Sequence, residues 1–125
     1  FRKIEDKLDQ IILVEEEATD DAELGLVAYG CAYRSAHYAA EEARRRGRKV
    51  GLIKPLTLWP FPEVAVGRLA QKVRRLVVPE LNRGQMLLEV QRVAAGRTRV
   101  VGVNQTDGEL IAPRRILEAL LEEED

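Results

Sequence analysis

The sequence predicts an α/β domain: a mostly parallel sheet with helices on both of its faces. Three observations carry this. Short β-rich runs alternate with longer stretches of helical periodicity, joined by short polar turns. The run Leu24-Gly25-Leu26-Val27-Ala28-Tyr29 is nearly continuous in apolar residues, as strands covered on both faces are. Gly and Pro stand at the boundaries between runs, where helices stop and connections turn.

Taken in order, Phe1 to Gln10 places Phe1, Ile4 and Leu8 at helical spacing among charges, which predicts a short amphipathic helix. Ile11 to Val14 is β-branched and predicts a strand that runs into Glu15-Glu16-Glu17. Thr19-Asp20-Asp21 is a turn, and Leu24 to Tyr29 the next strand, ended by Gly30. Cys31 to Arg46 predicts a helix whose packing face is Ala36, Ala39, Ala40 and Ala43. Gly47 stops it, and Arg44 to Arg46 place cations where the helix dipole favours them. Lys49 to Ile53 is a strand. Pro55, Pro60 and Pro62 then enforce a rigid connection, and Pro62 opens a helix to about Lys72. Arg75 to Pro79 is a strand, Leu81 to Gly84 a polar turn, and Gln85 to Ala94 a helix. Arg99 to Val103 is the last strand, and Pro113 opens a final helix to about Glu123.

The bulk numbers narrow the function classes. A chain of 125 residues, 46% hydrophobic, fits one domain with one core, spanning 1–125. Lys and Arg total 20 against 21 Asp and Glu, a net charge of −1, so nothing attracts nucleic acid or an anionic membrane in bulk. The basic run Arg44 to Lys49 lacks interleaved aromatics and reads as a solvated helix end. No apolar run approaches the ~20 residues of a membrane span. The charged N-terminus is no signal peptide, so the expected location is cytoplasmic. The chain begins at Phe1 rather than Met, which suggests a piece of a longer polypeptide.

The candidate chemistry is thin. The single cysteine, Cys31, excludes an internal disulfide and a thiolate-held cluster. Its place at a helix start would lower a thiol pKa, but no histidine is positioned as its base. His37 is the only histidine and lies two positions after Ser35, on a different helix face, so neither a Ser/His pair nor a metal site is expected. Tyr29-Gly30-Cys31 is a strand-to-helix turn, where open α/β sheets bind ligands. The three-glycine dinucleotide fingerprint is absent there, and no Walker-type phosphate loop occurs.

Two connections stand out instead. Thr57-Leu58-Trp59-Pro60-Phe61-Pro62 concentrates the only Trp with one Phe and two Pro. It reads either as a rigid edge connection or as a preorganised aromatic contact surface. Pro79-Glu80-Leu81-Asn82-Arg83-Gly84-Gln85 is the most polar connection to follow a buried strand. Asn82 suits a helix cap and Gly84 a close backbone approach. Glu80 brings a charge that needs a partner.

These segments, with Val27-Ala28-Tyr29-Gly30, Lys54-Pro55-Leu56 and Val101-Gly102-Val103-Asn104, resemble the C-terminal part of the α subunit of 2-oxoacid:ferredoxin oxidoreductases, the 2-oxoglutarate-type branch in particular. The likeness extends from Asp20-Asp21-Ala22-Glu23 over nearly the whole chain; Cys31 departs from it, standing where a small hydroxyl residue is expected. The resemblance implies a transketolase C-terminal-like fold, a three-layer α/β/α domain with a five-strand sheet in the order 1-3-2-4-5 and an antiparallel first strand. It implies that the whole enzyme decarboxylates a 2-oxoacid on thiamine diphosphate with Mg, forms the acyl-CoA, and passes electrons through a [4Fe–4S] cluster to ferredoxin. Thiamine and cluster would belong to other domains and the partner β subunit, leaving this domain without catalytic residues or bound cofactor. The expected contact positions, at an interface or near the active site, are Thr57, Trp59, Phe61, Glu80, Asn82, Gly84 and Gln85. Two rivals share the fold reading: a free-standing nucleotide- or anion-binding module using the Gly30 turn, and a thiamine enzyme of the transketolase or pyruvate dehydrogenase β type.

Overall fold

The computed structural model describes residues 2–7, 10–56, 61–80, 85–104 and 111–122. In chain order its elements are β1 (Arg2–Lys7), β2 (Gln10–Glu17), β3 (Leu24–Val27), α1 (Cys31–Arg45), β4 (Val50–Pro55), α2 (Glu63–Ala70), β5 (Arg75–Glu80), α3 (Gln85–Ala94), β6 (Arg99–Asn104) and α4 (Pro113–Leu121). The sheet order is β1-β2-β4-β3-β5-β6. Strands β4, β3, β5 and β6 are parallel, and β2 runs antiparallel to β4. Without β1, this is the expected 1-3-2-4-5 order with an antiparallel first strand.

The N-terminal segment departs from expectation. Arg2–Lys7 is an antiparallel strand on β2, not a helix, with Arg2 in register with Glu15 and Lys7 with Gln10. Its apolar spacing is compatible with a helix, but six residues form too short a helix to stand without packing. The neighbouring β2 offers a full ladder of backbone partners instead.

Alternation along each parallel strand feeds two cores. Leu24, Leu26, Leu52 and Val77 face α1 and α4, where Ala36, Ala39, Ala40 and Ala43 meet Ile116 and Leu120. Val27, Ile53, Leu76 and Val78 face α2 and α3, with Phe61, Val66, Leu69, Met86 and Val90. Adjacent residues in a strand therefore serve opposite layers, which is why the runs read as continuously apolar. The alanine face of α1 is almost wholly buried and lets that helix lie close on the sheet. Each fully buried Leu or Ile contributes roughly 1.5–3 kcal/mol over its exposed state.

The helix ends follow the predicted signals. Gly47, at φ 87°, lets the chain leave α1, and the N–H groups of Gly47 and Arg48 close back on the carbonyls of Arg44 and Ala43. Pro113 occupies the first turn of α4. Pro62 precedes α2 as its N-cap residue, and that helix ends at Ala70, two residues short of the expected Lys72.

Candidate functional site

Because β3, β4, β5 and β6 are parallel, their C-terminal ends lie along one edge of the domain, the edge where α/β sheets bind ligands. Four connections leave it: the turn through Gly30, and the connections after Pro55, Glu80 and Asn104. Of the expected contact residues, Thr57, Trp59, Asn82 and Gly84 lie outside the described residues, and Gln85 is the first residue of α3.

Glu80 is described in full. It ends β5, is 1% exposed, and lies on the α2/α3 side of the sheet. Its Oε2 accepts the Met86 backbone N–H at 3.2 Å and its Oε1 accepts that of Leu87 at 2.9 Å. These are early N–H groups of α3, which have no partner inside the helix. A carboxylate there also complements the positive end of the helix dipole. The charge that the sequence left without a partner is thus satisfied by a helix start six residues on. Phe61 turns inward. It is 4% exposed and packs with the α2/α3 core, anchoring the end of its connection instead of presenting its ring.

At β3, Gly30 takes φ 62° and ψ −141°, a backbone region essentially reserved for glycine, and no side chain caps the start of α1. Ser35 is buried, whereas His37 is half-exposed and lies 3.4 Å from Glu17 and 3.9 Å from Glu41. The structure therefore pairs His37 with carboxylates and not with Ser35. Among the described residues, no group of three or more His, Cys, Asp or Glu could hold a metal ion.

Two features escaped the sequence reading. The first is a polar cluster between β2, β4 and α1, around a surface depression of about 60 Å³ lined by Glu15, Glu16, Glu17, Tyr33, Leu52 and Lys54. Lys54 Nζ sits 4.4 Å above the Tyr33 ring and 3.8 Å from Glu15. Burial, reinforced by Glu17 and Glu15, pushes the Tyr33 phenol above its ordinary pKa. Glu17 also takes a 2.8 Å ion pair from Arg44, which binds β2 to α1. The second is Arg75, buried at the start of β5, whose Nη1 donates to the carbonyls of Leu120 at 2.7 Å and Ala119 at 3.2 Å. A signal for either would have needed pairings between residues far apart in sequence.

Fold and edge geometry define a three-layer domain of the transketolase C-terminal-like class. The structure matches a chain of the 2-oxoglutarate:ferredoxin oxidoreductase of Magnetococcus marinus, solved with 2-oxoglutarate, coenzyme A and succinyl-CoA bound. The TM-score is 0.71 at 22% identity, over 84% of this chain and 18% of that one. It matches a split gene transketolase, an inactive beta4 tetramer, with the same TM-score of 0.71 at 20% identity, over 85% of this chain and 40% of that one. Residues 22–116 match the family model of the pyruvate:ferredoxin oxidoreductase core domain II, and the chain belongs to that family.

Relatives agree. The chain is 40% identical over 119 residues to the 2-oxoglutarate synthase subunit KorA of Methanothermobacter marburgensis, covering 95% of this chain and 32% of that subunit. It is 43% identical over 108 residues to the ketoisovalerate oxidoreductase subunit VorB of Methanothermobacter thermautotrophicus, covering 86% and 30%. It is 37% identical over 97 residues to the 2-oxoglutarate oxidoreductase subunit KorA of Mycobacterium tuberculosis, covering 71% and 14%. The chain spans about a third of the length of the methanogen relatives it matches.

Proposed function

We propose that this chain is a non-catalytic domain of the α subunit of a 2-oxoacid:ferredoxin oxidoreductase, of the 2-oxoglutarate type. It would support thiamine-dependent oxidative decarboxylation to the acyl-CoA, with electrons passed to ferredoxin. The observation that carries this is the 40% identity to a 2-oxoglutarate synthase subunit over 95% of the chain. The chemistry of its residues agrees. A [4Fe–4S] cluster takes four thiolates and this chain has one cysteine, so the cluster does not fit here. Among the described residues, the one fully buried carboxylate at the ligand edge, Glu80, is engaged as a helix cap. Thiamine diphosphate and its Mg are assigned to other domains, the cluster to a partner β subunit, and the setting to the cytoplasm. Among the described residues, no helix is long and apolar enough to cross a membrane.

A second reading concerns the substrate. The 43% identity to a ketoisovalerate oxidoreductase subunit favours a branched 2-oxoacid as the alternative. Co-expression of the full-length subunit with its partner subunit decides both points. The expected result is CoA-dependent ferredoxin reduction driven by 2-oxoglutarate. Faster turnover of 2-oxoisovalerate would move the assignment to the branched acid, and reduction by neither would overturn it.

The connections 57–62 and 80–85 are proposed to face neighbouring domains near the active site. Trp59→Ala and Asn82→Ala in the assembled enzyme test this. Assembly, turnover or the KM for CoA should change; all three remaining at wild-type values would sink the proposal.

A further inference from the structure

Strand β2 joins the domain differently from the strands beside it. Every residue of β3 and β5 is buried, and all of β4 but Lys54, and their apolar side chains fill both cores. Strand β2 pairs with β4 over Val14–Glu17. Among the described residues, 10–13 pair with β1 alone, and β1, at the edge of the sheet, pairs with β2 alone. In the segment paired with β4, Val14 is the one apolar side chain, and it reaches the α2/α3 core. The rest are Glu15, Glu16 and Glu17, which strand alternation sends to both faces of the sheet, each to a different element. Glu15 lies opposite Lys54 of β4, 3.8 Å from its Nζ. Glu16, 5% exposed, faces Arg68 of α2 at 4.0 Å and accepts the Thr19 hydroxyl at 3.4 Å. Glu17 takes Arg44 of α1 at 2.8 Å and lies 3.4 Å from His37 of the same helix.

We infer that Glu15, Glu16 and Glu17 form a charged latch, and that β1 and β2 open from the domain as one ribbon when the latch is screened or removed. One buried valine and a four-residue ladder are a small attachment, and segments with few buried apolar contacts open at the lowest free energy. An isolated exposed ion pair contributes little, but here pairs to β4, α1 and α2 converge on three successive residues. Glu15, Glu17 and their partners are partly exposed, so dissolved salt reaches them. The screening length falls from about 10 Å at 0.1 M salt to about 3 Å at 1 M. Strands β3 and β5 are held by apolar burial, which screening does not weaken. With no other strand to hold it, β1 leaves with β2. The latch stands on this geometry alone and holds whichever 2-oxoacid the enzyme uses.

The test uses the assembled full-length enzyme, with hydrogen exchange read by mass spectrometry over the segments 2–7, 10–17 and 75–80. Between about 0.1 M and about 1 M sodium chloride, exchange in 10–17 should speed by about three- to tenfold, with 2–7 following it. Exchange in 75–80 should stay within about twofold, which makes β5 the internal reference. The double variant Glu15→Gln with Glu17→Gln should exchange fast in 10–17 already at about 0.1 M salt, and respond to further salt by less than about twofold. Val14→Ala should also speed exchange in 10–17 but keep the wild-type salt response, because it removes packing and leaves the charges. Should the double variant fail to assemble, Glu17→Gln alone carries the same comparison. Exchange in 10–17 that ignores salt would overturn the inference. So would an equal acceleration of 75–80, which marks a loss of the whole fold and not of one ribbon. A double variant with the full wild-type salt response would show that the carboxylates are not the latch. Faster exchange in 2–7 without 10–17 would show that β1 frays alone, and would overturn the ribbon.

Discussion

Arg75 and Glu80 stand at the two ends of the same six-residue strand, on opposite faces of the sheet, and each closes a helix end. Arg75 at the start of β5 donates to the last carbonyls of α4, while Glu80 at its end accepts the first N–H groups of α3. Both side chains are 1% exposed. Their signs suit the dipole ends they meet, cation at a C-terminus and carboxylate at an N-terminus. Strand β5 thereby fixes one helix in each outer layer by polar bonds as well as by packing.

Arg75→Ala should therefore destabilise the fold strongly. It leaves the Leu120 and Ala119 carbonyls without the guanidinium and opens a cavity beside α4. A charged hydrogen bond and a buried truncation together cost about 2–4 kcal/mol. Urea unfolding of the full-length subunit reads this as a lower midpoint. Arg75→Lys should recover part of the loss, because one ammonium can reach one carbonyl but lacks the planar fork. A midpoint unmoved by Arg75→Ala would mean that packing alone seats α4.

Gly25 and Gly51 are fixed by space. A Cβ at Gly25 would come within 2.7 Å of Leu76 Cδ2 and 2.9 Å of Leu69 Cδ2. At Gly51 it would meet the Thr19 Cα at 3.1 Å as well as the Ala22 Cβ at 3.0 Å. Gly25→Ala should cost about 1–3 kcal/mol as Leu76 and Leu69 leave their rotamers. Gly51→Ala presses on backbone, so its relief requires the turn before β3 to shift. Thermal unfolding of the two variants reads the cost; a rise in Tm for either would show that the neighbouring chains have room to relax.

The five shared strands were legible because each is a short apolar run whose alternate residues serve two cores, as Leu52 and Ile53 do, while their order came from the family resemblance. Alanines at helical spacing marked the buried face of α1, and Gly47 and Pro113 marked two helix ends. What stayed illegible depends on distant pairing. Ile4 and Leu8 carry a helical spacing, yet the residues opposite Arg2–Lys7 on β2 decide the strand. Glu80 announced an unmet charge, but Asn82 stood nearer to α3 and looked the better cap. Arg75 starts a predicted strand, and only the return of α4, 44 positions on, makes it a core residue.

Glu23 lies at the other end of the sheet and should govern stability in acid. Its Oε1 holds Arg48 at 2.9 Å, and its backbone bonds Lys49 and Arg74. The hydrogen bond from Arg48 leads in holding its carboxyl below the ordinary glutamate pKa. A lowered folded value means that the stabilisation is present above the unfolded pKa and is lost as pH falls through the folded one. Glu23 is partly solvated, which makes the contribution small and salt-sensitive. Glu23→Gln should thus lower the urea midpoint at neutral pH. The gap from wild type should close as pH falls from the ordinary glutamate range through the lower folded pKa. A gap constant with pH would mean that the ionised carboxylate is not what the contact needs. Turnover of the assembled enzyme should be unaffected, since Glu23 is remote from the ligand edge.

Gly30 separates the oxidoreductase reading from the anion-binding rival. At φ 62° and ψ −141° it stands in a region that L side chains rarely adopt, and a Cβ there would meet nothing within 4 Å. Gly30→Ala should therefore cost about 1–3 kcal/mol of backbone strain without filling the space before α1. Titration calorimetry of the chain with CoA, ATP and NAD gives the second half of the test. A turn that serves only to join β3 to α1 binds none of them at micromolar concentration, and Gly30→Ala then changes stability alone. Micromolar binding that Gly30→Ala abolishes would place an anion at the free N–H groups of α1 and make the rival the better account.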